Sequence, residues 1–268
     1  MNIEPVIELS ALASVERFLL LDVRDRTAFD AGHPPGAVRV PIELWEAAAK
    51  ADETSLENVE YWETEIRKLG VTREVLAVVY DDGRMTEAAR VWFILQYFGA
   101  RASVLNGGWP VIAKGQLLPR VAAPSHAEEF MAQPGAGPVG LLVREQVKAQ
   151  LNSQARIFDA RSAAEYAGED LRRNQRGGHL PGARHLAHTS LLESGRLLSP
   201  EQLNRLLNDA GFRPGDHIIT HCDGGGRAAL AAVAAISAGF SNVKAYYLSF
   251  ADWARDDSCP VVRRLPRG

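Results

Sequence analysis

LLLDVRDRTAFDAGHPPGA, residues 19–37, is written twice in this chain: its first part returns as ARIFDARSAAEYAG (155–168) and its end as GGHLPGA (177–183). Each copy runs from an apolar stretch into Asp-x-Arg and closes on Gly-His-x-Pro-Gly-Ala. The second half of each copy is doubled as well. VLAVVYDDGRMTEAARVWFILQYFGARASVLNGGW (75–109) parallels HIITHCDGGGRAALAAVAAISAGFSNVKAYYLSF (217–250), and this register pairs Asp22 with Asp159, His33 with His179, Asp81 with Cys222, Gly99 with Gly239 and Trp109 with Phe250. Two repeats of this length are two homologous domains, because solenoid units are shorter and more numerous.

Within each repeat, short β-branched runs alternate with helical patterns. VLAVVY and HIITH are apolar runs that end at a loop and lead into a helix, as buried parallel strands do. In the second repeat the helix reads RAALAAVAAISAG, with Gly239 as its C-terminal cap. The predicted fold class is α/β: two homologous domains, each a parallel sheet with helices on both faces. The boundaries expected are 1–118 and 139–268. Residues 119–138, rich in proline and small residues, form a linker between them.

Composition narrows the function classes. The 268 residues carry a formal net charge of -3, with 46% hydrophobic and 24% charged residues. That is a globular composition with no global electrostatic reason to bind nucleic acid or an acidic membrane. No run of about 18 apolar residues occurs, so no segment is expected to span a bilayer. Glu4, Glu8 and Glu16 interrupt any signal-peptide core, and only two cysteines, Cys222 and Cys259, are present. A reducing, cytoplasmic location is therefore expected. Without a His/Cys cluster at ligand spacing, neither a metal nor another cofactor is expected.

In α/β folds, anions bind beyond the carboxyl ends of strands, at helix N-termini. HCDGGGR (221–227) falls at that place. The backbone N–H groups around Gly224, Gly225 and Gly226 can turn inward as an anion nest, and the positive end of the following helix favours a thiolate on Cys222. Cys222 is thus a candidate nucleophile, while Cys259 in DDSCPVV has no donor cluster and reads as structural. Only four residues separate Cys222 from Arg227, one fewer than in phosphate-wrapping cysteine loops, so the amides are expected to close on one sulfur rather than a phosphate.

These residues resemble those of the tandem-domain rhodaneses, the thiosulfate and 3-mercaptopyruvate sulfurtransferases, in their bacterial form. The resemblance spans nearly the whole chain and rests on both Asp-x-Arg steps, both Gly-His-x-Pro-Gly-Ala boxes, LNGGW (105–109), EYAGE (165–169) and the Cys222–Arg227 loop. It implies a catalytic C-terminal domain in which Cys222 takes the outer sulfur of a small anionic donor. The resulting persulfide would be held by the amides from Asp223 through Gly224, Gly225, Gly226 and Arg227 to Ala228, then passed to cyanide, a thiol or a protein acceptor. Arg227 would close the cradle with its positive charge. Asp81 stands at the nucleophile position of the first domain, so that its loop is expected to be solvated and inactive.

Asp159, Arg161 and His179 have partners in the domain without a nucleophile, Asp22, Arg24 and His33, which makes them fold-building pairs rather than catalysts. Arg172, Arg173, Arg176 and Arg184 form the densest basic segment, either a solvated face or a donor-recruiting one. Some positions depart from the family. Ala164-Glu165-Tyr166 replaces a Gly-Arg-aromatic step that binds the donor, which disfavours mercaptopyruvate. Asp223 adds a carboxylate at the rim, which disfavours a dianion. Leu248, in place of a glycine, is expected to reshape the wall beside Cys222. The leading expectation is thiosulfate sulfurtransferase activity; the alternatives are 3-mercaptopyruvate sulfurtransferase and a non-catalytic sulfur carrier or interaction module.

Overall fold

The computed structural model describes residues 3–114 and 129–263. The chain divides into two compact units, Met1–Pro138 with Ser194–Leu197 and Val139–Glu193 with Leu198–Gly268.

The first unit is built on strands β1 (Val6–Ile7), β2 (Phe18–Asp22), β3 (Val38–Arg39), β4 (Leu76–Tyr80) and β5 (Ala102–Leu105). They form one parallel sheet in the order β1-β5-β4-β2-β3. FLLLD and LAVVY are buried at every position, as central parallel strands covered on both faces must be. Its helices are α1 (Arg26–Ala31), α2 (Ile42–Ala48), α3 (Val59–Lys68), α4 (Thr86–Tyr97) and α5 (Gly108–Ala113). Ile112 of α5 packs with Leu20, Val78 and Leu105 in one core cluster, and α4 lies against β4 and β5.

The second unit repeats this plan. Strands β6 (Val139–Leu142), β7 (Arg156–Asp159) and β8 (Arg184–His185) are followed by β9 (Leu192–Glu193) and by β10 (Arg196–Leu197), which falls in the stretch assigned to the first unit; β9 and β10 belong to neither five-stranded sheet. β11 (Ile218–His221) and β12 (Val243–Tyr246) complete the set. The parallel order is β6-β12-β11-β7-β8, the same winding as in the first unit. Helices α6 (Arg144–Gln150), α7 (Ala163–Ala167), α8 (Pro200–Asp209), α9 (Gly226–Ser237) and α10 (Ser249–Trp253) cover it. Val147 of α6 and Trp253 of α10 pack on Ile157 and Ile219, while α9 lies on β11 and β12 with α8 beside it. The expected α/β repeat is therefore observed.

Local sequence explains the boundaries. Ser162 and Ser199 cap α7 and α8 in reciprocal boxes with Glu165 and Gln202, and Pro200 opens α8. Such caps satisfy amides that have no intrahelical partner and contribute about 1 kcal/mol each. Gly239 ends α9 at φ +93°, as its position in the sequence predicted.

Of the expected linker, residues 119–128 lie outside the described residues. Residues 129–138 are tied to the first unit: Phe130 is buried, and the N–H groups of Gln133 and Gly135 donate to the carbonyls of Phe98 and Tyr97. Among the described residues no helix is long and apolar enough to cross a membrane.

Candidate active site

The two Asp-x-Arg steps form the same buried structure twice. Asp159, the last residue of β7, accepts Arg161 Nε at 2.9 Å and Nη2 at 2.5 Å, and Nη2 also reaches the carbonyl of Gly178 at 2.7 Å. The guanidinium carbon lies 4.1 Å from the centre of the Phe250 ring. In the first unit Arg24 holds Asp22 and the carbonyl of Gly32 in the same way, with its guanidinium 3.8 Å from the Trp109 ring. His179 and His33 also match: each ring Nδ1 meets the carbonyl of Tyr166 or Phe29 and stacks on that residue's ring. A construction present in the unit without a cysteine serves the fold.

The repeats diverge where β11 and β4 end. His221 stands where the first unit has Tyr80, beside Asp159 and Asp22 respectively. Tyr80 Oη donates to Asp22 at 2.7 Å. His221 is fully buried, with Nε2 3.4 Å from Asp159 Oδ2. Burial outweighs the nearby Asp159 carboxylate and depresses His221 to about 4. The ring is therefore neutral in the folded state down to that pH, whereas the unfolded chain takes up a proton below about 6.5. Stability from this group is complete above pH 6.5 and is lost as pH falls toward 4, on the order of 3 kcal/mol. Urea unfolding at pH 7 and pH 4.5 should show this loss, and His221→Gln should flatten it; an unchanged slope in the variant contradicts the assignment.

Cys222 follows His221 directly and is almost completely buried. The N–H of Gly225 donates to its Sγ at 3.1 Å. Gly225 caps α9 at φ +103°, and a Cβ there would lie 3.0 Å from the Tyr247 ring, so this position requires glycine. The outer side of the loop is fastened to the start of α10. Cys222 N–H donates to Ser249 Oγ at 3.0 Å, and the carbonyls of Cys222 and Asp223 accept from the N–H groups of Phe250 and Ala251. Ser249 is fully buried at φ +62°, with its hydroxyl 3.7 Å from Sγ.

Sequence reasoning did not assign Ser249 a role. The signal was present in the repeat register, because Ser249 pairs with Gly108, which adopts φ +57°. A serine held in a left-handed conformation where the other repeat has glycine points to a specific use of its side chain. Leu248 has a right-handed backbone and its side chain packs on the apolar cluster, so its conformation does not require a glycine. Tyr247 is the residue that walls Gly225.

Arg227 is not a free cation. Its Nη1 and Nη2 donate to Glu165 Oε2 and Oε1 at 2.6 and 2.8 Å, a closed bidentate fork. Glu165 also accepts the N–H of Ser162. Burial opposes its ionisation, but these hydrogen bonds prevail and bring the carboxyl down to about 2. Asp223 is held by Asn174 Nδ2 at 2.7 Å. In the basic segment, Arg176 donates to the carbonyls of Trp253, Ala254, Asp256 and Cys259 and ties down the end of the unit. Arg184 reaches the carbonyl of Ala210. Arg172 and Arg173 are exposed.

The loop of the first unit is not solvated, contrary to expectation. Asp81 is buried, and its carboxylate accepts from the N–H groups of Gly83, Met85 and Ala88 at 2.9, 3.0 and 3.2 Å. The amides that would face an anion are already taken up by the chain's own carboxyl group, whose pKa burial raises against the pull of these hydrogen bonds. Asp82 is exposed and paired with Arg84. Helix α4 is capped four residues after Asp81 but α9 three after Cys222, which gives the carboxylate a larger cradle than the sulfur.

The Rhodanese-like domain family model matches this chain at residues 6–114 and again at 143–256. The chain belongs to that family, as a tandem member among sulfurtransferases. A 3-mercaptopyruvate sulfurtransferase of Escherichia coli (strain K12) is 32% identical over 239 residues, covering 86% of this chain and 83% of the relative. A thiosulfate sulfurtransferase of Azotobacter vinelandii is 29% identical over 272 residues, covering 97% and 96%. The crystal structure of SseA from Escherichia coli, described among 3-mercaptopyruvate sulfotransferases, superposes with a TM-score of 0.73 at 28% identity over 92% of this chain and 98% of that one.

Proposed function

We propose that this chain transfers a sulfane sulfur from thiosulfate to cyanide or a thiol acceptor through a persulfide on Cys222. The observation that carries the reading is the Gly225 N–H donated to Cys222 Sγ, at the one of two equivalent loops whose cradle is not filled by a carboxylate. The Cys222 thiolate attacks the outer sulfur of thiosulfate, the S–S bond of the donor breaks, and its electron pair leaves with sulfite. Cys222 then carries S–S⁻, whose charge the loop amides from Asp223 to Ala228 stabilise. Attack by an acceptor on the terminal sulfur restores the thiolate. Domain 139–268 performs this chemistry, and domain 1–118, with Asp81 at the equivalent place, does not. No cofactor or metal is required.

A second reading, 3-mercaptopyruvate as donor, is favoured by the 32% identical relative. There the thiol sulfur passes to Cys222 and the carbon it leaves gains the proton, giving pyruvate. Steady-state turnover of both donors with cyanide as acceptor separates the readings. The expected result is a higher kcat/KM for thiosulfate despite its second charge, because Ala164-Glu165-Tyr166 leaves mercaptopyruvate's carboxylate and keto oxygen without the arginine that would bind them; the opposite order moves the assignment to mercaptopyruvate, and no turnover with either leaves a non-catalytic sulfur carrier.

A further inference from the structure

We infer that Glu165 determines donor choice at this site: by occupying both terminal nitrogens of Arg227 it withdraws that cation from the donor and disfavours dianionic donors relative to monoanionic ones. The inference rests on the Cys222 persulfide reading.

Arg227 lies two residues beyond Gly225, in the first turn of α9; burial works against its charge, but the Glu165 hydrogen bonds, with Cys222 and Asp223 nearby, prevail and raise its pKa. Glu165 comes from α7, 62 residues away in sequence, and is almost fully buried. A part-buried bidentate fork holds the guanidinium by two charge-assisted bonds that an incoming anion would have to break. Asp223, in the loop itself, is fixed by Asn174 rather than by a cation. Around Arg227 the chain thus gathers two carboxylates and the Cys222 sulfur, and the guanidinium is already paired with one of those carboxylates. Arg172 and Arg173 are exposed and screened by water and salt. The donor is left with the loop amides as its main attraction. These serve a single sulfur equally well whether the leaving portion is sulfite or an uncharged-tail sulfinate, so each additional negative charge on the donor is met by net repulsion.

Thiosulfate and methanethiosulfonate test this directly. Both deliver a terminal sulfur by the same S–S cleavage, one releasing sulfite and the other methanesulfinate, but the first is a dianion and the second a monoanion. Glu165→Gln keeps the size of the side chain and its acceptor for Ser162 while releasing the charge of Arg227. At low salt, the ratio of kcat/KM for thiosulfate to that for methanethiosulfonate should rise about tenfold in Glu165→Gln. The gain should disappear in the double variant Glu165→Gln/Arg227→Gln. In the unaltered protein, kcat/KM for thiosulfate should increase with ionic strength, and more steeply than for methanethiosulfonate, as screening relieves like-charge repulsion. An unchanged or lower donor ratio in Glu165→Gln overturns the inference, as does thiosulfate turnover that falls with salt, a result that needs no variant to fold. A purely structural Glu165 would depress both donors together and leave their ratio fixed. Failure of the unaltered protein with both donors would instead remove the persulfide reading itself.

Discussion

Cys222→Ser is expected to lower kcat/KM for sulfur transfer by at least about 10³-fold with any donor, because a serine hydroxyl neither ionises at neutral pH nor holds a sulfane sulfur. The fold should tolerate the change. The backbone of Cys222 is anchored by Ser249, Phe250 and the adjoining β11, and none of these contacts involves the sulfur. Cys259→Ser should retain transfer. That cysteine is buried in the apolar cluster with Trp253 and Leu180, burial pushes its thiol up, and its carbonyl rather than its sulfur meets Arg176. The two variants, assayed side by side by cyanide-dependent thiocyanate formation, separate the nucleophile from the structural cysteine. Loss of turnover in Cys259→Ser with full turnover in Cys222→Ser would place the chemistry elsewhere.

The second large effect is on stability. Arg161→Leu removes one member of a buried ion pair and leaves the Asp159 carboxylate facing His221 with nothing to balance it; breaking such a pair costs about 3–5 kcal/mol. The equivalent change in the other repeat, Arg24→Leu, should fall at the lower end of that range, because Asp22 keeps the hydrogen bond from Tyr80. Urea titration of each variant measures the loss. If Arg161→Leu unfolds at the unaltered midpoint but no longer transfers sulfur, the pair belongs to the chemistry rather than to the fold. Similar losses in both repeats support the structural role.

Much of this architecture was legible in the sequence because it is repeated there. Asp22 with Asp159, His33 with His179 and Trp109 with Phe250 were paired by spacing alone, and in the structure the members of each pair make the same contacts. The Cys222 loop was legible because glycines and a helix start are local signals. What could not be read depends on distance along the chain. Arg227 and Glu165 are 62 residues apart, so an arginine that looks like an anion receptor by its place in the loop is seen to be committed only when α7 and α9 come together. Asp81 illustrates a different limit. Two acids in a loop suggest solvation, but three converging amides make the interior the better place for one of them, and convergence is a property of backbone dihedrals rather than residue type. Ser249 was hidden for the same reason, since its left-handed backbone appears in the sequence only through its glycine counterpart, Gly108.

The most direct test of the central claim is the intact mass of the protein before and after thiosulfate, and again after cyanide, with Cys222→Ser alongside. The expected result is a gain of one sulfur, ~32 Da, that appears with the donor, is removed by cyanide and is absent from the variant. A sulfur that persists in Cys222→Ser, or one on Cys222 that cyanide does not remove, would contradict transfer through a Cys222 persulfide.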